Sequence, residues 1–203
     1  MTRRLEGGRL VIATGNAGKL EEMRELLATR GIAIESHREH GLSDPEETED
    51  TFLGNARIKA HAAAKALGVP ALADDSGIEI EALGGDPGVR TADWAETPVG
   101  RDFDVAMRRA HDALRAAGAA EPWVARFVSV LVLAWPDGHE EAFRGEVNGR
   151  VIWPPRGVKG HGYDPIFVPE GETRTFAEMS HDEKNALSHR GRSIRAFEAA
   201  CLG

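Results

Sequence analysis

The chain alternates short, nearly continuous apolar runs with stretches whose apolar positions recur at helical spacing. Arg9-Leu10-Val11-Ile12-Ala13 is a β-prone run of the kind buried on both faces of a sheet. Thr14-Gly15-Asn16-Ala17-Gly18-Lys19 follows at once, and Leu20, Met23, Leu26 and Leu27 then mark one face of a helix. A second strand is expected over 31–35, followed by a polar loop over 36–50. Residues 52–67 predict an alanine-rich helix, with Thr51 as its cap and Gly68 past its end. Its packing stripe is Phe52, Ala56, Ala60, Ala63 and Leu67, while Asn55 and Lys59 share another face.

The chain is organised around Ala71-Leu72-Ala73-Asp74-Asp75-Ser76-Gly77-Ile78-Glu79-Ile80. Neighbouring side chains of a strand point to opposite faces, so Asp74 and Asp75 cannot do the same job. One is expected to brace the local backbone and the other to face a cleft. A carboxylate at a strand end, beside a glycine, suits Mg²⁺ or a water-activating base. The competing reading is an acidic turn that caps the next element.

Residues 82–88 form a turn-rich loop that continues to Trp94, an exposed segment whose Arg90 and Trp94 would cover a ligand or meet a subunit. Gly100-Arg101-Asp102 opens a helix with Phe103, Ala106, Ala110 and Leu114 on one face, ending near Gly118. Residues 126–134 are the strongest strand, apolar enough to be central, and 140–147 read as its half-solvated antiparallel partner across a Pro136-Asp137-Gly138-His139 turn. This hairpin makes a mixed sheet the expected α/β architecture in place of a pure βαβ repeat. Residues 149–157 read as a rigid connector. In Gly160-His161-Gly162-Tyr163-Asp164-Pro165, the rings would stack on a planar ligand and Asp164 would accept from ring N–H groups; otherwise this is a packed aromatic turn before a strand at 166–168. Ser180 and Glu183 form a capping-box pattern, after which Lys184, Ser188, His189 and Arg190 fall within two helical turns, and Ile194 and Phe197 continue a packing face.

At 203 residues the chain is one large α/β domain or two lobes sharing a core. Its 33 acidic against 25 basic residues argue against wholesale nucleic-acid binding, but leave room for a local phosphate pocket. The single cysteine, Cys201, excludes an intrachain disulfide framework and a cysteine zinc cluster. No apolar run reaches membrane-spanning length and the first residues lack a signal-peptide core, so a soluble intracellular protein is expected. The strand–glycine loop–helix at 14–19, with Lys19 at the helix start, is either an anion site or an ordinary turn; it lacks the spacing of a Walker A loop. Most of Glu46, Glu47, Glu49 and Asp50 would be solvated, and one glutamate turned toward Asp75 would complete a metal pair. Lys59 is either a surface solubiliser or a second phosphate contact. The eight histidines show no pair at metal-ligand spacing, which favours Mg²⁺ with oxygen ligands over zinc.

Taken together, these blocks resemble the Ham1/RdgB-type inosine triphosphate pyrophosphatases. The matching segments, in the family's order, are 13–19, Glu46-Glu47-Thr48, 52–59, 73–77, 84–88, Arg126-Phe127, 162–167, Glu183-Lys184 and 188–191. The resemblance implies a single ITPase-like α/β domain over 1–203, an elongated mixed β-sheet flanked by helices, with two lobes around a nucleotide cleft. It implies a cytoplasmic, Mg²⁺-dependent homodimer that hydrolyses dITP, ITP and XTP to the monophosphate and pyrophosphate, clearing the nucleotide pool, without nucleic-acid or membrane partners. By the same resemblance Asp75, Glu47 and Lys19 are catalytic, and Glu47 and Asp75 handle the metal. Thr14, Gly15, Asn16, Lys19, Lys59 and Ser76 bind the phosphates. His161, Tyr163, Asp164, Lys184, His189 and Arg190 read the base. The runner-up readings are a Maf-like pyrophosphatase of different base choice and a non-catalytic nucleotide-binding protein. The chain departs from the family pattern at His161, where phenylalanine is common, at Gly54, where glutamate often stands, and at Asp93, commonly arginine.

Overall fold

A computed structural model describes residues 2–6 and 8–202. The strands β1 (Arg9–Ile12), β2 (Ala33–Ser36), β3 (Ala71–Ile80), β6 (Trp123–Ala134), β7 (Glu140–Val151) and β8 (Phe167–Pro169) form one sheet in the order β2-β1-β3-β6-β7-β8. A two-stranded antiparallel ribbon, β4 (Glu96–Thr97) with β5 (Gly100–Arg101), is separate from it. β1 runs parallel to both β2 and β3, whereas β7 and β8 are antiparallel, so the sheet is mixed as the hairpin predicted. The helices are α1 (Ala17–Leu27), α2 (Phe52–Leu67), α3 (Phe103–Ala116), α4 (His181–Leu187) and α5 (His189–Phe197). Among the described residues, no helix is long and apolar enough to cross a membrane.

The chain divides into two compact units, the first comprising 1–75, 129–145 and 190–203, the second 76–128 and 146–189. In the first unit the strand alternation sorts the core into two layers. Leu10, Ile12, Leu72, Leu131 and Leu133 pack with Met23 and Leu27 of α1 and with Ile194 and Phe197 of α5. Val11, Ala13, Ala71, Ala73, Val132 and Ala134 pack instead with Ala56, Ala60, Ala63 and Ala64 of α2. Sequence neighbours thus serve opposite faces, and the small alanines of α2 let that helix lie close to the strands.

The second unit has a single core, in which Ile78 and Ile80 of β3 meet Ala106, Met107, Ala110 and Leu114 of α3, together with Phe127, Phe167 and Phe176. Trp94 belongs to this core, with the Arg109 guanidinium 4.5 Å above its ring. The expectation of an exposed Trp94 is therefore corrected, because apolar burial and a cation–π contact hold it inside. Arg90 does lie at the surface, paired with Asp86 at 2.5 Å.

Three further expectations change. β7 extends through Val151 and takes in Gly149, which was read as connector. A Cβ there would collide with the Val168 carbonyl, so the glycine serves close strand approach. Residues 71–80 are one continuous strand, which rules out the acidic turn and places both aspartates mid-strand. Lys184 and Arg190 do not share a helix: Ser188, extended at ψ 157, ends α4, and α5 starts at His189.

Candidate active site

The alternation within β3 decides the geometry. Asp74 follows the parity of Leu72 and faces α1 and α5; Asp75 follows Ala73 and faces α2. Asp74 is completely buried and has a full set of partners: Lys19 Nζ at 2.8 Å, Ser129 Oγ donating at 2.7 Å and Arg190 Nη2 at 3.3 Å. Burial pushes its carboxyl upward, but the Lys19 and Arg190 charges outweigh that and hold it well below the usual carboxylate range. Arg190 is also closely paired with Glu22 of α1, and the Ser129 hydroxyl contacts that of Ser193 at 2.9 Å. Burial lowers the Arg190 guanidinium, yet Asp74 and Glu22 raise it on balance.

Asp75 has a poorer environment. Its Oδ1 lies 3.3 Å from Lys59 Nζ, and its buried Oδ2 has no hydrogen-bond partner. Burial, aided by the nearby charges of Glu47 and Asp74, pushes its carboxyl up to about 6 against the pull of Lys59 and Lys19. Lys59 also donates to Glu47 Oε1 at 3.1 Å, so one ammonium bridges two carboxylates. Burial lowers the Lys59 amine, but Asp75, Glu47 and Asp74 raise it on balance. The two partners shift as they do because Lys59 has three carboxylates around it, whereas Asp75 has one close cation and an unpaired oxygen.

The glycine loop is shaped by capping. Thr14 Oγ1 accepts from Asn16 N at 3.2 Å, and Asn16 is the N-cap of α1, its Oδ1 accepting from Lys19 N at 3.1 Å. α1 consequently starts at Ala17, three residues before the apolar periodicity becomes visible. Glu47, on the following loop, is largely exposed. Ser76 is half-buried just beyond the two aspartates.

The residues read as base-binding lie in the second unit, apart from Arg190. Asp164 Oδ2 accepts from Lys184 Nζ at 2.6 Å and from His161 N at 2.7 Å, a buried ion pair that also braces the glycine turn. Tyr163 is buried edge-on to Phe103, its hydroxyl donating to Thr91 O at 3.4 Å, while His161 is exposed. His189 is buried and stacks on Phe127 with ring centroids 4.8 Å apart.

Sequence reasoning missed Glu22, Ser129 and Ser193. Ser129 is the one polar residue in 127–134, and a hydroxyl inside so apolar a strand signals a buried partner. Glu22, one turn after Lys19 on a helix that also carries Glu21, Arg24 and Glu25, gave a weaker signal because nothing local sets it apart from them.

A family model described as the Ham1 family matches residues 10–200. The chain belongs to the Ham1 family. It is 60% identical to a dITP/XTP pyrophosphatase of Ruegeria pomeroyi over the whole of both chains, and 54% identical to one of Rhizobium meliloti over 99% of each. Among solved structures, a HAM1 protein from Coxiella burnetii superposes with a TM-score of 0.86 at 38% identity, covering 94% of this chain and 96% of that one. The Ham1 protein of Staphylococcus aureus gives 0.82 at 33% identity, covering 94% and 96%. The Ham1 α/β fold with its mixed sheet is thus the fold of this chain.

Among the described residues, no group of three or more His, Cys, Asp or Glu side chains is placed to hold a metal by itself. A hard cation that keeps water and takes phosphate oxygens needs only one or two carboxylates, and the unpartnered Asp75 Oδ2 beside Glu47 supplies that donor type. These hard oxygen donors are of the kind that Mg²⁺ takes.

Proposed function

We propose that the chain hydrolyses the deaminated purine nucleotides dITP, ITP and XTP to the nucleoside monophosphate and pyrophosphate, acting as a cytoplasmic homodimer that cleanses the nucleotide pool. One observation carries the chemistry: a buried, incompletely paired carboxylate, Asp75, stands beside a lysine and a second carboxylate. The two units are read as the lobes of one ITPase-like domain.

In this reading Asp75, held largely unprotonated at neutral pH, accepts the proton of the attacking water and orients it. Glu47 and Asp75 would hold Mg²⁺, which when bound neutralises phosphate charge and supports the departing pyrophosphate. Lys59 leaves its bridge between the carboxylates to meet phosphate oxygens, and Lys19 adds positive charge at the start of α1. Thr14, Gly15, Asn16 and Ser76 supply hydroxyl, amide and backbone partners around the same phosphates. His189 and Arg190 present donors to the 6-oxo edge, with Lys184, Tyr163, Asp164 and His161 as further base-binding residues. Adenine would set its exocyclic N–H₂ against those donors and leave buried groups unpaired.

The test is product analysis with purified protein and Mg²⁺, offering dITP, XTP, dATP, dGTP and dTTP in parallel. Monophosphate and pyrophosphate from dITP and XTP, with the ordinary nucleotides nearly untouched, is the expected result. Diphosphate and orthophosphate would overturn the cleavage position, and preferred turnover of dTTP would overturn the base assignment.

A further inference from the structure

One cluster of the first unit has no role in this scheme. Arg38 Nη2 donates to Asp44 Oδ2 at 2.6 Å, and this ion pair is pressed onto the glycine loop: a Cβ on Gly15 would collide with both the carboxylate and the guanidinium. Behind the pair lies His37, only 2% exposed, with Nε2 3.1 Å from Asp44 Oδ1 but neither ring nitrogen in a hydrogen bond. These residues come from the short turn after β2, a segment read from sequence as solvated loop.

A carboxylate and a phosphate group seek the same partners: a guanidinium fork, a ring N–H and a backbone stripped of its Cβ. Two of these meet Asp44 directly, one Arg38 N–H donating to it and the bare Gly15 backbone lying against it, while the His37 ring stands close by without a hydrogen bond. The Arg38–Asp44 pair is also the kind that a stronger anion displaces, because Arg38 is 59% exposed and Asp44 33%, where water weakens a single ion pair. We propose that Asp44 is an internal stand-in for a substrate phosphate over Gly15, and that Arg38 is a further phosphate-binding residue that exchanges Asp44 for the nucleotide. This rests on the triphosphate reading above. Gly15 is then glycine for two reasons, since it must accept the carboxylate and afterwards the phosphate.

The exchange makes an unusual sign prediction. The probe is inorganic tripolyphosphate, titrated calorimetrically into the full chain, with dITP turnover measured in parallel. Removing the competitor by Asp44→Asn is expected to tighten tripolyphosphate binding about fivefold, and removing the cation by Arg38→Gln to weaken it about tenfold. Arg38→Lys, which keeps the charge and loses the fork, should recover part of that loss. For dITP the changes should fall on KM and leave kcat nearly constant. A merely structural pair would give weaker or unchanged binding in both charge-removing variants, and that result overturns the inference. Wild-type turnover of dITP with Arg38→Gln and Asp44→Asn both matching it would overturn the inference alone. A wild type with neither tripolyphosphate binding nor turnover would overturn the triphosphate reading along with it.

Discussion

The two faces of β3 carry adjacent aspartates with opposite fates. On one face Asp74 is fully buried, receives two cations and a hydroxyl, and has its charge stabilised. On the other, Asp75 is nearly as buried but shares a single close lysine with Glu47, leaves one oxygen unpartnered, and has its charge disfavoured. The same side chain, one residue on, changes from a fully tied carboxylate to one with an oxygen to spare. Burial is similar, so what separates the two is the surroundings: cations first and donors second around Asp74, and competing carboxylates with one unmade hydrogen bond around Asp75.

The largest effect expected from breaking this contrast is on turnover. Asp75→Asn should lower kcat for dITP by about 10³-fold or more while the fold persists, as checked by initial rates and circular dichroism. A variant retaining near-normal kcat would remove Asp75 from the chemistry. Asp74→Asn should act on the fold instead. It leaves Lys19 and Arg190 facing a neutral amide, and urea unfolding should show a loss of about 3–5 kcal/mol. If that variant were as stable as the wild type, Asp74 would not be the tie described here.

The pH dependence sharpens the comparison. The Asp75 carboxyl binds its proton more tightly in the folded chain, at about 6, than in the unfolded chain, at 3.8. Its contribution to stability is therefore fully present below pH 3.8 and is lost as pH rises toward 6. Without added metal, wild-type stability should fall relative to Asp75→Asn by on the order of 2 kcal/mol across that window. Urea titrations at several pH values check this, and a parallel pair of curves would mean that Asp75 ionises without penalty. The smallest effect belongs to Ser129→Ala. Losing one donor to a carboxylate that keeps two cations should cost about 1–2 kcal/mol with kcat unchanged.

The opposed faces of the two aspartates were legible in the sequence, because strand alternation is a local property. So were α2, the hairpin, the mixed sheet and the capping box at Ser180, each of which rests on periodicity or on a few adjacent residues. The partner of each aspartate was not legible. Lys19 was assigned to phosphate, and it does stand at the loop, but its nearest anion is Asp74. Arg190 was grouped with Lys184 by spacing, and the break at Ser188 undoes that spacing. The turn residues of its loop predict an exposed Trp94, whereas the cation that covers its ring comes from α3. Contacts between distant segments leave no periodic trace. Only an out-of-place residue such as Ser129 announces them.

Gly54 adds a constraint of a different kind. It lies in the first turn of α2, where a Cβ would approach Glu49 Cβ to 2.5 Å and the capping Thr51 Oγ1 to 3.0 Å, while Glu49 N donates to Asn55 Oδ1 at 3.0 Å. Positions 49 and 54 thus share one volume: the side chain of the preceding loop fills the space that a side chain on the helix would need. Neither residue is free to change alone. Bulk at one position excludes bulk at the other, so a side chain introduced at 54 must be matched by a smaller one at 49.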